Sequence, residues 1–195
     1  MDKQYITIDE LENLALVEVA ETYVSQAEKY IEAMSNQVAL MTNREWLSDP
    51  VDYPTTRYFD GNGSAHLRIG EAVAVETVEI GEDYGENFEE VTDYITHPYN
   101  SSPITKLIRK DNCWDRGIKN IKVTGAFGYA TEVPEDIKFA VATFVAGIIR
   151  YQTNQEGEIE SEKIGNYSVA YKTEEEKDDY KKAMSIVEMR RVILI

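Results

Sequence analysis

The side chains in this sequence most able to do chemistry are Cys113, His66, His97 and a large set of carboxylates, 36 acids against 20 bases. A single cysteine excludes an intrachain disulfide framework, and two histidines beside it do not make the ligand set of a structural zinc site. Neither histidine stands near a matching serine motif, and no G-x-G-x-x-G, P-loop or H-E-x-x-H pattern occurs. Paired carboxylates of the kind used for general acid and base work are present only against a uniformly acidic background. The expectation is a chain with no catalytic residues, no metal and no cofactor.

One carboxylate constellation has a metal-like spacing. Asp60, Asn62, Ser64 and Glu71 stand where four loop ligands of a helix-loop-helix calcium site would stand. That loop needs glycine at its sharp turn, where this sequence has Ala65, and its flanks have strand rather than helix character. The segment "TTRYFDGNGSAHLRI" therefore reads as a β-hairpin, with Asp-Gly and Asn-Gly turn chemistry between two short strands. Trp114, in "WDRG", reads as a buried anchor for a β-turn against the helices.

Charge is unevenly placed around the formal net of -16. From Glu71 to Thr105 there are acids but no Lys or Arg, with Glu82, Asp83, Glu86, Glu89 and Glu90 the densest run. The sign then reverses, with Lys106, Arg109, Lys110, Arg116, Lys119 and Lys122 against Asp111 and Asp115. A surface of this balance does not grip phosphates in general, which excludes a nucleic-acid-binding class resting on backbone neutralisation.

The elements that carry these residues are legible in outline. Thr7 with Glu10 three residues on fits a capping box, so a short helix begins near Ile8. Val17, Ala20, Val24, Ala27, Ile31, Met34, Val38 and Met41 then recur at spacings of three and four, a heptad stripe that predicts one helix packed on a partner. Two prolines in "LSDPVDYPTT" end it. Short runs rich in Val, Ile, Thr and Tyr follow up to "IKNIKVTGAFGY", where Ile121 and Val123 alternate with Asn120, Lys122 and Thr124 as in a strand with one wet face.

Helix returns at "EVPEDIKFAVATFVAGIIRYQ", with Pro134 suited to the first helical position. Its apolar residues surround it almost completely, which predicts the centre of the bundle, and Gly147 predicts a close helix crossing. The run "FAVATFVAGII" has eleven residues, where a membrane span needs roughly twenty. In "SEKIGNYSVAYK", Tyr167, Val169 and Tyr171 alternate with polar or small residues, and Ile164 to Lys172 reads as a single strand leaving the bundle. A last helix with Tyr180, Ala183, Met184 and Val187 inward leads to "VILI", Val192 to Ile195. The N-terminal "MDKQYITIDELENL" lacks a signal-peptide pattern, so the expectation is a protein that is cytosolic when made.

The fold class that follows is α+β. N- and C-terminal helices, residues 1–50 and 130–195, form a bundle, and a β-rich lobe, residues 55–129, is inserted between them.

The order "VPEDIKFAVATFVAGIIRYQ" then "SEKIGNYSVAYK" resembles the C-terminal part of tailed-bacteriophage head-tail connector proteins, also called head completion or adaptor proteins. The matching residues are Val133, Pro134, Ile137, Lys138 and Ala140, then Ser161, Glu162, Ile164, Gly165, Tyr167 and Ser168. "ITIDEL", "AEKYIEAM" and "NIKVTGAFGY" are similar to the family's larger members. The resemblance implies a non-enzymatic virion component at the head-tail interface, made in the host cytoplasm. It would form a homo-oligomeric ring, commonly of twelve subunits, beneath the portal protein. The ring would extend the DNA channel and dock the tail completion or stopper protein, with no membrane involved. On this view Glu82, Asp83, Glu86, Glu89 and Glu90 are candidates for the bore, since a basic bore would hold DNA through counterion release. Ile164, Tyr167, Val169 and Tyr171 are candidates for a strand at the subunit interface, and Val192, Ile193, Leu194 and Ile195 for a tail that docks on the portal or a neighbouring subunit.

Two other classes stay open on the sequence. One is a calcium- or carbohydrate-binding β-rich module of a phage tail or surface protein. The other is an enzyme using clustered carboxylates.

Overall fold

The computed structural model describes residues 4–82, 84–153 and 160–192. The fold is α+β, and the chain divides into two compact units: residues 1–44 with 133–195, and residues 45–132.

In the helical unit, α1 (Ile8–Ala15) starts on the expected capping box. The Glu10 N–H donates to Thr7 Oγ1 (3.2 Å) and the Thr7 N–H to Glu10 Oε2 (2.8 Å), which satisfies two amides that a helix start leaves free. Leu16, at φ 49°, stops it. Here the single-stripe expectation fails. Val17 and Ala20 lie in an extended link, where Glu12 Oε1 accepts the Val19 N–H (2.8 Å). A 3₁₀ turn (Glu21–Tyr23) then leads into α2 (Val24–Thr42). Ala27, Ile31, Met34 and Val38 of the stripe are buried on α2, so the periodicity was real over a shorter helix.

The next helix, α3 (Glu135–Thr153), is the centre of this unit, as its nearly continuous apolar surface predicts. Pro134 stands just outside it, and its carbonyl accepts the Lys138 N–H at 3.0 Å. Helix α3 packs against α1, α2 and two later elements, the strand β8 (Tyr167–Tyr171) and the helix α4 (Glu174–Met189). Thr173 caps α4 by accepting the Glu176 N–H (3.2 Å), while Glu176 Oε2 accepts the Lys172 N–H (2.6 Å).

Two further expectations are corrected here. The late strand is not single: β7 (Glu160–Ile164) pairs antiparallel with β8, with Ile164 opposite Tyr167. The charged run before Ile164 has no alternation to reveal it, because backbone pairing and not side-chain burial makes it a strand. Nor does the hairpin leave the bundle; Val169, Ala170 and Tyr171 are buried. Gly147 marks this contact and not a helix crossing, since a Cβ there would lie 2.2 Å from Val169 Cγ1 and 3.1 Å from the Ala170 carbonyl oxygen.

The sheet unit holds β1 (Thr55–Gly61), β2 (His66–Glu82), β3 (Glu86–Glu90), β4 (Tyr94–His97), β5 (Ile104–Arg109) and β6 (Gly117–Phe127). Their order is β1-β6-β2-β5-β4, with β3 also paired to β2. All of these pairings are antiparallel. The expected β1–β2 hairpin is therefore wrong: β6 lies between the two strands. Their connecting turn is held instead by the β5–β6 connection, where the Gly63 N–H donates to the Trp114 carbonyl (2.8 Å) and the Trp114 N–H to that of Ser64 (2.9 Å).

Strand β2 changes partners along its length, from β5 to β6 and then β3, with a bulge containing Gly70 at φ 80°. Leu67, Ile69, Val78, Leu107, Trp114, Ile121, Val123 and Phe127 form the core of this unit. Trp114 thus anchors a turn as expected, but in the sheet unit's own core. Asn120, expected on the wet face, is buried: its Oδ1 accepts the Gly61 N–H (2.8 Å) and its Nδ2 donates to the Asp115 carbonyl (3.0 Å).

Candidate assembly surfaces

The acidic run of the sheet unit lies on the β2–β3 hairpin, in which Glu79 faces Glu90, Ile80 faces Glu89 and Glu82 faces Glu86. Glu82, Glu86, Glu89 and Glu90 are exposed; Asp83 lies outside the described residues. Phe88 and Lys122 pack between them. Phe88 lies on Gly81, where a Cβ would meet its ring at 2.8 Å, and Lys122 pairs with Glu79 (2.8 Å) while its Nζ stands 5.5 Å from the Phe88 ring centroid. The hydrogen bond to Glu79 raises the Lys122 pKa. Four exposed carboxylates thus stand on one hairpin, with Glu89 and Glu90, consecutive in β3, on opposite faces of it.

The calcium-like residues are used locally. Asp60 Oδ1 accepts the Lys119 N–H (2.7 Å), Asn62 Oδ1 that of Ser64 (2.9 Å) and Ser64 Oγ that of His66 (3.2 Å). Their oxygens face backbone amides, and no group of three or more His, Cys, Asp or Glu is placed to hold a metal among the described residues. Cys113 is exposed. The base-rich stretch is partly consumed by ion pairs: Arg109 binds Asp93 (2.8 Å), whose carboxyl is held below the usual aspartate range by the Asn112 amide and by Arg109.

Of the four strand residues, Ile164, Val169 and Tyr171 face the helical unit's own core, and Tyr167 is half-buried with its ring edge-on to Tyr30 at 6.2 Å. Burial pushes the Tyr171 hydroxyl pKa up, helped by its hydrogen bond to Glu162 (3.2 Å). Tyr180, beside it, is raised more strongly, again mainly by burial.

Of the four C-terminal residues, Val192 is described; Ile193, Leu194 and Ile195 lie outside the described residues. Val192 is tied to the end of α2: its N–H donates to the Thr42 carbonyl (2.8 Å), and its carbonyl accepts Asn43 Nδ2 (3.0 Å). Exposed Leu40, Met189 and Arg191 belong to the same end of the unit.

A groove that the sequence did not reveal lies at the other end of α2. Val19, Ala20, Tyr23 and Ile149 supply apolar wall, and Gln26, Tyr30 and Gln152 form a hydrogen-bonded floor. It is assembled from the α1–α2 link, the first two turns of α2 and the last turn of α3. The only local signal was Gln26 four residues before Tyr30, which places both on one helix face.

No protein-family model matches this chain, and no curated protein sequence does. Solved structures do share its fold. A chain in the neck of an empty gene transfer agent (GTA) particle, computed with C6 symmetry, has a TM-score of 0.61 and 11% identity, covering 98% of this chain and 91% of that one. A chain of the virion of a native GTA particle has a TM-score of 0.59 at 11% identity, with the same coverage. One in the neck of a native GTA particle, computed with C12 symmetry, has a TM-score of 0.57 at 10% identity, covering 100% of this chain and 97% of that one. Helices from both ends of the sequence, with an antiparallel sheet unit inserted in the chain between them, are thus a fold shared with chains found in the neck of GTA particles.

Proposed function

We propose that this chain is a structural subunit of a head-tail neck, assembling as a ring beneath a portal protein and docking a tail completion or stopper protein. The observation that carries the reading is the fold likeness, which spans nearly the whole of this chain and of neck chains resolved with C6 and C12 symmetry. The connector-like order of "VPEDIKFA" and "SEKIGNYS" supports it from a separate direction. The role is mechanical, not enzymatic. DNA passes through the ring without being held, and Glu82, Glu86, Glu89 and Glu90, with Asp83, line the bore. Val192 to Ile195 form a docking tail, for which the tie between Val192 and Thr42 is the fixed root.

The test is native mass measurement with electron microscopy of the purified chain, alone and mixed with its portal. Closed rings with a central hole wide enough for duplex DNA are expected. A chain that stays monomeric up to its solubility limit and adds no ring to the portal overturns the reading. Deleting Val192 to Ile195 is expected to leave the monomer folded and to abolish assembly; a truncated chain that assembles normally removes the tail from this account.

A further inference from the structure

Both histidines of the chain stand on one face of the sheet unit, among bases that the acidic balance of the chain does not predict. In the antiparallel register Arg68 of β2 lies opposite Lys106 of β5, and Lys106 lies opposite His97 of β4. The neighbouring row is His66, Ile108 and Ile95. Leu67, Ile69 and Leu107, which alternate with these residues, are buried in the core, so both rows lie on the outer face. His66, Arg68, Ile95 and His97 are exposed; Lys106 and Ile108 are half-buried.

No Asp or Glu occurs in residues 66–70, 94–97 or 104–109, in a chain with 36 acids. The acids at the borders are held or offset. Asp93 is bound by Arg109 and Asn112, Glu71 is half-buried beyond the bulge at Gly70, and exposed Asp111 stands beside exposed Lys110. Side chains directly opposite on neighbouring strands are about 5 Å apart at Cβ, and like charges there repel. The Arg68–Lys106 pairing, with His97 next in the row, thus works against the sheet, and an anionic partner relieves it.

We infer that this outer face of β2, β5 and β4 docks an acidic segment of another protein, one that sets an apolar side chain beside its carboxylates. The carboxylates meet Arg68, Lys106 and His97, and the apolar side chain covers Ile95 and Ile108. The second row is what selects a protein. A phosphate backbone brings charge but nothing to cover two isoleucines, and an anionic bilayer repels a chain of net charge -16. The surface uses no second copy, so it stands apart from the ring reading.

The test is fluorescence anisotropy of the whole chain with a labelled peptide of alternating Glu and Leu. An all-Glu peptide of the same length, short duplex DNA and phosphatidylserine vesicles are the comparisons. The alternating peptide is expected to bind more tightly than any of these, with affinity falling as salt rises. Lys106→Glu is expected to weaken binding by roughly tenfold or more, and Lys106→Gln by less. Both are expected to keep or raise the melting temperature, since each removes a like-charge pair. Arg116→Glu makes the same charge change at an exposed position of the β5–β6 connection and is expected to leave binding unchanged. A peptide that does not bind, or that Lys106→Glu and Arg116→Glu weaken alike, overturns the inference. So does a preference for DNA or vesicles, or an all-Glu peptide that binds as tightly. Self-association of the chain that Lys106→Glu abolishes gives the face to a second copy and overturns it too. Peptide binding by a chain that forms no rings keeps this surface and removes the ring reading alone.

Discussion

Gly147 of α3 lies directly under Val169 of β8, so close that a Cβ on the glycine would stand 2.2 Å from Val169 Cγ1. Alanine is the better helix former by about 1 kcal/mol, so on α3 alone Gly147→Ala would stabilise. The contact reverses that sign. Overpacking of a well-filled core costs about 1–3 kcal/mol, and the Ala170 backbone behind Val169 limits how far the strand can retreat. Gly147→Ala is therefore expected to destabilise the chain by about 1–2 kcal/mol in urea unfolding. In a Val169→Ala background, where the blocking methyl groups are gone, the same change is expected to be neutral or stabilising. Equal destabilisation in both backgrounds would show that Val169 is not what the glycine accommodates.

A second prediction concerns pH. Glu10 closes the α1 capping box and also binds Lys138 of α3 at 2.8 Å. The hydrogen bond from Lys138, then that from the Thr7 backbone, lowers the Glu10 pKa, and the Lys138 ammonium is pushed up to about 12 by Glu10 and Glu135. A carboxylate with a depressed folded-state pKa contributes stability that is present above its unfolded value, about 4.3, and lost as the pH falls through the folded one. Glu10→Gln keeps the capping geometry and removes the charge. Because the carboxylate is 37% exposed, the expected cost at neutral pH is discounted to about 0.5–1 kcal/mol. That difference should close as the pH is taken below about 4 in parallel urea titrations. A gap that persists at low pH would assign the effect to packing.

Much of the fold was legible because its signals are local. Thr7 with Glu10 and the apolar circumference of Phe139 to Ile149 each act within a few turns of one helix and appear where the sequence puts them, while Pro134 falls one residue outside the helix it was expected to begin. What escaped depends on residues distant in sequence. Val17 and Ala20 satisfy heptad spacing yet lie outside a helix, because Leu16 turns the chain and Glu12 takes the Val19 amide. The turn after β1 looked like a hairpin turn, but what settles the partner of β1 is Trp114, some fifty residues away, gripping that turn through Ser64 and Ala65. Glu160 to Lys163 carry no apolar alternation because backbone pairing and polar side-chain contacts, not burial, hold them. The groove is the extreme case: link, helix start and helix end come from three places, and no window of sequence contains it.

Trp114 gives a third prediction. It is fully buried, its Nε1–H donates to the Ala65 carbonyl (3.0 Å), and the Arg109 guanidinium stands 5.2 Å from its ring centroid. Trp114→Ala is expected to cost about 3–5 kcal/mol. Trp114→Phe, which keeps most of the ring and removes the indole donor while the Ala65 carbonyl keeps its bond from the Arg109 N–H (2.9 Å), is expected to cost about 0.5–1.5 kcal/mol for the lost hydrogen bond. The chain's other tryptophan, Trp46, is buried against Tyr129 in the same unit, so its fluorescence reports this transition. If Trp114→Phe unfolds like the unaltered chain, the indole hydrogen bond does not hold the turn.

The last prediction tests why the β2–β3 hairpin is acidic. If Glu82, Glu86, Glu89 and Glu90 face passing DNA, their charge keeps the duplex hydrated and mobile, since no phosphate can exchange its counterions for a protein cation there. Replacing all four with lysine leaves the ladder intact, because these side chains are exposed and the hairpin is held by backbone pairing and by Phe88 on Gly81. The assembled variant is expected to retain short duplex DNA at low salt where the unaltered ring releases it, and to release it steeply as salt rises, each neutralised phosphate contributing about 0.9 to the logarithmic slope. The same substitutions in the monomer give the reference: retention by monomer and ring alike means that the charge acts anywhere on the surface. Retention that requires the ring, and that blocks passage of DNA through it, means that the hairpins of successive subunits converge on one channel. A lysine-bearing ring that neither retains DNA nor slows it removes these four residues from the bore.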